Sequence, residues 1–368
     1  MKFLIDKENL NYAIQNVQRA ISPRSPLPIL TGILFQCGDG VLKLSATDME
    51  ISINSSVPAD VREPGDLVIP ARYITDFAKK LPDVPIEFET IGGGKLATIR
   101  YGQSEFNING YNAADFPLFQ VPEGEFTFSM EAGSLKDIIR KVIYASSNDD
   151  SRPVFTGVLF EVQGSDATLV ATDTFRLAMK RFKIETPAPD LINVIVPGKT
   201  LNEAVRVMGS DEPVKVTLSK NHIMFETEDT VVTSRLISGR FPSYRQVIPD
   251  NFSCVITVPI RDMLDSADRA SLLAGERNSL VMFQSTGEGV VISVRSENGW
   301  IREDIPADTE GENLDILFNV RYLCDVLRSC DGDQISIKLT GTYTPALLTP
   351  PEDEDYVAII VPARTSRE

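Results

Sequence analysis

Only one histidine, His222, occurs in the 368 residues. A lone histidine in a strand-like stretch is a structural or surface residue far more often than a catalytic one. None of H-E-x-x-H, G-x-S-x-G or a phosphate-loop motif accompanies it. Gly92-Gly93-Gly94-Lys95 lacks the following Ser/Thr and helix of a phosphate loop, and reads as a hairpin turn. Asp48 and Asp173 are imaginable as paired acids. Each, however, ends an Ala-Thr-Asp segment, at 46–48 and at 171–173. Repetition in equivalent places argues for a turn role. Glu352-Asp353-Glu354-Asp355 reads as a solvated loop rather than a cation site. No catalytic centre, cofactor or metal is expected.

The repeated Ala-Thr-Asp leads to the elements around it. Thr156-Gly157-Val158-Leu159-Phe160 reads as one arm of a β-hairpin with its turn at Gly164 to Asp166. A close copy begins at Thr31-Gly32-Ile33-Leu34-Phe35 and turns at Gly38-Asp39-Gly40. A blurred third begins at Ser279-Leu280-Val281-Met282-Phe283 and turns at Gly287-Glu288-Gly289. One module is written three times, which sets three domains: residues 1–120, 126–246 and 252–368.

Each module opens with a strand: Phe3 to Ile5, Phe126 to Met130, Val255 to Val258. A helix follows, with apolar residues at i, i+3, i+4 and i+7: Leu10, Ala13, Ile14, Val17; then Leu135, Ile138, Ile139, Val142; then Ile260, Met263, Leu264, Ala267. Ser134 with Asp137 resembles a capping box. After the hairpin comes a strand ending in Pro70, Pro197 or Asn319, then a second helix. The second helices bury Ile74, Phe77, Ala78, Leu81; Leu201, Ala204, Val205, Met208; and Leu323, Val326, Leu327, Cys330. Further strands close each module. Helices with one apolar stripe must cover one face of a sheet, so the class is α+β.

Apolar content of 42% and charged content of 24% are those of a globular protein. Cys37, Cys254, Cys324 and Cys330 form no framework, which suits a reducing compartment. The N-terminus turns charged after three apolar residues, and no apolar run approaches membrane-spanning length. A cytosolic location is expected.

The net charge of −16 argues against nucleic acid only if the charge is evenly spread. It is not. The six helical stretches sum to +6, leaving −22 elsewhere. Their cations include Arg72, Lys79, Lys80, Lys136, Arg140, Lys141, Lys199 and Arg206. Two readings follow: lysine and arginine simply favour helices, or the helices form a layer that faces a polyanion. No base-reading motif is present, so a DNA contact would be to the backbone and without sequence preference.

The paired Ala-Thr-Asp segments, Pro26-Leu27-Pro28-Ile29-Leu30, Asp115-Phe116-Pro117 and Gly239-Arg240-Phe241-Pro242, in three tandem modules, resemble the bacterial DNA sliding clamps, the β subunits of DNA polymerase III. The resemblance covers essentially the whole chain. It implies a head-to-tail homodimer closing into a ring of six modules. Helices would line the hole around double-stranded DNA and sheets would form the outer wall. Partners would be the DNA polymerase III alpha subunit, the clamp loader and other proteins carrying a clamp-binding peptide, a glutamine followed by apolar and aromatic residues. The rival reading is a three-module scaffold that binds peptides and not DNA.

Carried over position by position, the resemblance places the peptide cleft at Phe155, Thr172, Thr174, Phe175, Arg176, Leu177, Pro242, Val247, Pro345, Ile359, Val361, Pro362, Ala363 and Arg364. It places the subunit interface at Phe106 and Ile108 against Leu272 and Leu273, with Glu105 meeting Arg302. It adds Arg24 and Arg152 as DNA contacts; Asp149 and Asp150 are unexpected beside a phosphate path. Ala363 stands where the family commonly has a larger residue, Thr365 to Glu368 extend past Arg364, and Gln246 replaces a second basic residue after Arg245.

Overall fold

The apolar stripes form helices where the spacing expects them. The structure, a computed structural model, describes residues 1–22, 25–91, 95–117, 119, 124–209, 211–275 and 279–364. Arg24, the Gly92-Gly93-Gly94 turn and the Thr365–Glu368 extension lie outside these. The α-helices are α1 (Lys7–Val17), α2 (Ala71–Lys80), α3 (Ala132–Ile143), α4 (Gly198–Val207), α5 (Ile260–Ser271) and α6 (Val320–Ser329). On α1 the four stripe residues Leu10, Ala13, Ile14 and Val17 are all fully buried. Burying a leucine or isoleucine side chain contributes about 1.5–3 kcal/mol, so such a stripe outweighs the helix's modest propensity. Phe77, Val205, Leu264 and Cys330 are half-buried. The capping box is a correction: α3 starts at Ala132, so Ser134 lies inside the first turn and is not the N-cap. Asn319 does cap α6, its Oδ1 accepting from the Arg321 N–H at 3.0 Å.

The expected hairpin turns hold in the first and third modules. Gly32–Gly38 pairs with Val41–Thr47 across Asp39 (φ 50°) and Gly40 (φ 77°), the left-handed pair that a two-residue turn requires. Leu280–Thr286 pairs with Gly289–Ser296 across Gly287 and Glu288. In the second module residues 157–162 pair with 192–197, as 32–37 pair with 65–70, and residues 166–172 pair with 177–183, as 41–47 pair with 52–58. Gly164, at φ 58°, marks an irregularity where the pairing passes from Val162↔Ile192 to Asp166↔Lys183.

The chain divides into two compact units. The first holds residues 1–133 and 199–236. Its larger sheet has eight strands, in which Ile51–Pro58 of the first module pairs antiparallel with Thr230–Arg235 of the second. Its smaller sheet has five strands and ends at the edge strand Ser104–Asn109. The second unit holds residues 134–198 and 237–368. Its larger sheet has seven strands, in which Arg176–Pro197 of the second module pairs with Tyr356–Ile360 of the third. Its smaller sheet has four and ends at the edge strand Gly299–Pro306. Among the described residues, no helix is long and apolar enough to cross a membrane.

Candidate functional site

The repeated Ala-Thr-Asp segment makes the same turn twice. Asp48 Oδ1 accepts from the backbone N–H of Glu50 and Ile51, at 3.0 and 2.9 Å. Asp173 Oδ1 accepts from Phe175 and Arg176, at 2.9 and 3.0 Å. The residue after each aspartate is left-handed: Met49 at φ 77° and Thr174 at φ 82°. Both carboxylates are therefore turn-forming groups. In the second module the turn aims Thr174 and Arg176 into a groove.

That groove, in the second unit, has a volume of about 250 Å³. Phe155, Thr172, Thr174, Arg176, Leu177, Pro242, Val247, Pro345, Ile359 and Val361 line it, together with Ser243 and Tyr244. Its floor is Leu177, Tyr244 and Ile359, part of a buried apolar cluster with Leu159, Val170, Met179, Leu347 and Val357. Ser243 and Tyr244 lie outside the set that the family resemblance implies. Their position directly after Pro242 was the available signal. Burial beside the Glu161 carboxylate pushes the Tyr244 hydroxyl up to about 12, so it stays protonated and donates to Glu161 Oε1 at 3.3 Å.

Phe175, Pro362, Ala363 and Arg364 are not in the lining. Phe175 is exposed, and its carbonyl accepts from the Val361 N–H at 2.8 Å. The Ala363 N–H donates to the Leu317 carbonyl at 2.8 Å. These two bonds seat the C-terminal segment along the groove. Arg364 lies over the Tyr343 ring, 6.0 Å from its centroid.

Arg176 is the charged group in the lining, yet its charge is spent. Nε donates to Asp173 Oδ2 at 3.0 Å and Nη1 to Asp325 Oδ2 at 2.5 Å. The guanidinium also lies over Tyr322 at 4.5 Å and Tyr144 at 5.5 Å. A cation so paired orients the wall of the groove without presenting charge to an occupant.

The helix cations fall into two kinds. Arg72, Lys79 and Lys80 on α2 are exposed and make no ion pair among the described residues. Arg140, Lys199 and Arg206 are exposed but each touches an acid: Asp137, Asp48 and Glu203. Lys136 is half-buried. Arg152 is exposed, and Asp149 pairs with it at 3.3 Å. Asp149 also accepts from the Ser151 hydroxyl and N–H, which hold its carboxyl below the usual range. Lys141 departs from expectation. Its side chain is 12% exposed and bonded to Asp331 and Asp353, each at 2.8 Å, so it is not available to a phosphate. Asp353 in turn is no member of a solvated loop, since Lys180 holds its other oxygen.

Phe106 on the edge strand Ser104–Asn109 stacks on Phe77 at 4.2 Å, and Ile108 is buried. Leu272, after α5, is 83% exposed and Leu273 half-buried. Within the chain Glu105 bonds Arg100 and Arg302 bonds Asp304. His222 lies edge-on to Phe119, 5.5 Å between centroids, and burial lowers its pKa.

Family models for the N-terminal, central and C-terminal domains of the DNA polymerase III beta subunit match residues 1–120, 129–243 and 245–364. The chain is 35% identical over 378 residues to the beta sliding clamp of Bacillus subtilis, covering 99% of this chain and 100% of that one. It is 33% identical to that of Staphylococcus epidermidis, with the same coverage. The crystal structure of the Bacillus subtilis DNA polymerase sliding clamp superposes with a TM-score of 0.94 at 35% identity, covering 99% of each chain. A Pseudomonas aeruginosa sliding clamp solved with griselimycin bound gives 0.95 at 30%, covering 99% of this chain and all of that one. Three clamp domains in tandem, matched from end to end, place the chain in the DNA polymerase III beta subunit family, the beta sliding clamps.

Proposed function

We propose that the protein is a DNA sliding clamp that works as a homodimeric ring, holding the polymerase and other partners on duplex DNA through the groove. One observation supports ring closure above the rest. Both module junctions inside the chain follow one rule: the strand after the Ala-Thr-Asp turn pairs antiparallel with the closing strand of the next module. In the third module the equivalent strand is Gly299–Pro306, and in the first the closing strand is Ser104–Asn109. Each is the edge of its sheet. Applying the rule once more joins the third module of one copy to the first of another. Two such contacts close a dimer head to tail.

In this reading the exposed cations of the helices face the hole and touch phosphates without reading bases. Topology supplies the grip, so each contact stays weak and sliding stays free. The acidic remainder of the chain disfavours DNA elsewhere on the surface. The groove, apolar with few polar groups, suits a short peptide with apolar and aromatic anchors. The role is that of a processivity factor without a catalytic centre.

Retention on DNA tests this. After loading, the protein should stay on nicked circles in high salt and leave linear DNA by its ends. Equal retention on both forms, or a solution mass of one chain, rules out the ring.

A further inference from the structure

Past Phe155 and Pro242 the groove opens into an adjoining cavity of about 330 Å³, whose other lining residues are Arg152, Pro153, Val154 and Arg240. Two arginines thus flank one end of an apolar slot. The cations around the groove are not equivalent. Arg176 is held by two carboxylates and Arg245 by Glu161. Arg152 shares its charge with Asp149 and stacks on Phe155 at 5.2 Å. Arg240 is exposed and has no acidic partner among the described residues. Its backbone is set by Gly239, at φ 142°, where an added Cβ would meet Val154 Cγ2 at 2.7 Å. This end of the slot is therefore a cationic place on a chain of net charge −16.

We infer that Arg240, with Arg152 beside it, forms a carboxylate subsite at the end of the groove, taking an aspartate or glutamate that flanks the apolar anchors of a docking peptide. The inference rests on the groove being a peptide cleft. The far field of an acidic protein repels an acidic peptide, so a preference for acid must come from local pairing. A DNA backbone is the less fitting occupant. Asp149 lies against Arg152, and the cavity continues into apolar surface that a phosphate chain would not enter.

Fluorescence anisotropy with C-terminally amidated peptides provides the test. Both carry Gln-Leu-Ser-Leu-Phe, one between pairs of aspartates and the other between pairs of asparagines. At low salt the acidic peptide should bind about three- to fivefold tighter, the range of one exposed charge pair, and the advantage should shrink as salt rises. Arg240→Ala should abolish the preference and Arg240→Glu reverse it, with unchanged circular dichroism. Equal binding of both peptides overturns the subsite and leaves the cleft standing. Failure of both to bind overturns the cleft and the subsite together. If only a free-acid form of the neutral peptide gains affinity, the site serves chain ends and the side-chain assignment falls. If Arg240→Ala lowers retention on circular DNA while the peptide preference persists, the arginine belongs to DNA and the assignment also falls.

Discussion

Nζ of Lys141 lies 2.8 Å from Oδ2 of Asp353, and Lys180 bonds the other oxygen of that carboxylate. Burial works against charge on Asp353, but the two lysines prevail and hold it below the ordinary carboxylate range. Burial likewise opposes charge on Lys141, and Asp331 and Asp353 overcome it, raising its pKa. A depressed carboxylate stabilises the fold above its unfolded value and loses that effect as pH falls through the folded one. A raised lysine acts below its unfolded value and loses its effect as pH climbs through the folded one. The cluster is thus fully effective from about pH 4 to pH 10. Asp353→Asn should cost about 1–3 kcal/mol at pH 7. In urea titrations its gap from wild type should close below about pH 4. A gap that stays constant to pH 3 would show that the carboxylate's charge is irrelevant.

Because Lys141 is occupied, the cations of α2 should separate from it in DNA assays. Each of Lys79→Ala and Lys80→Ala should reduce the salt slope of duplex binding by up to about 0.9. Lys141→Ala should leave that slope alone and lower the melting temperature instead. A slope change for Lys141→Ala equal to that of Lys79→Ala would return it to the DNA-facing set.

Arg176 joins the Ala-Thr-Asp turn to α6 through Asp173 and Asp325. Removing it strands two carboxylates beside two tyrosine rings. Arg176→Ala should cost about 3 kcal/mol or more and weaken the neutral peptide at least tenfold. Arg176→Lys should rescue little, since an ammonium cannot fork between both acids. Full rescue by lysine, read by melting temperature and anisotropy together, would mean that only the charge matters.

The sequence shows the helices plainly because their stripes are long and apolar: Leu10, Ala13, Ile14 and Val17 admit one face only. The strands that join modules are harder to see. Ile51–Pro58 and Thr230–Arg235 meet through Ser52, Ser55, Thr230, Thr233 and Ser234, all buried, so serine and threonine dilute the alternation. Which strand pairs with which is a long-range fact that local pattern does not carry. The same limit hid the pairing of Lys141. Its acids at 331 and 353 are remote in sequence, so charge counting assigned the lysine to the helix surface. Groove residues emerged through resemblance to the family, and Tyr244 was missed because its aromatic ring faces a cluster built from distant strands.

Met49 follows Asp48 in the turn at φ 77°, and its side chain is exposed. Left-handed backbone costs a non-glycine residue about 1–2 kcal/mol, partly offset by the chain entropy that glycine brings. Met49→Gly should stabilise the first unit by about 0.5–1 kcal/mol. An unchanged or lower melting temperature would mean that the methionine makes a compensating contact.

The pairing rule also sets a register. Ile53 faces Val232 and Ala178 faces Ala358, equivalent pairs at the two junctions. Carried through the repeat, Arg302 stands where Asn54 does and Glu105 where Val231 does, so Arg302 of one copy falls opposite Glu105 of another, and Trp300 opposite Asn107. Residues directly opposite in antiparallel strands bring their Cβ atoms to about 4.5–5.5 Å, within reach of a disulfide after small adjustment. Glu105→Cys with Arg302→Cys should therefore give a covalent dimer on mild oxidation. Cys37, Cys254 and Cys324 are buried and do not compete readily. Each single variant should stay uncrosslinked, since the partner position offers no thiol. The doubly linked species should resist removal from nicked circles by dilution, because the ring is then sealed at both contacts. Glu105→Cys paired with Ile301→Cys or Glu303→Cys, one residue out of register, should crosslink poorly, as side chains there point to the other face. Equal yields from these shifted pairs would show that the two edges meet by collision and do not form a sheet.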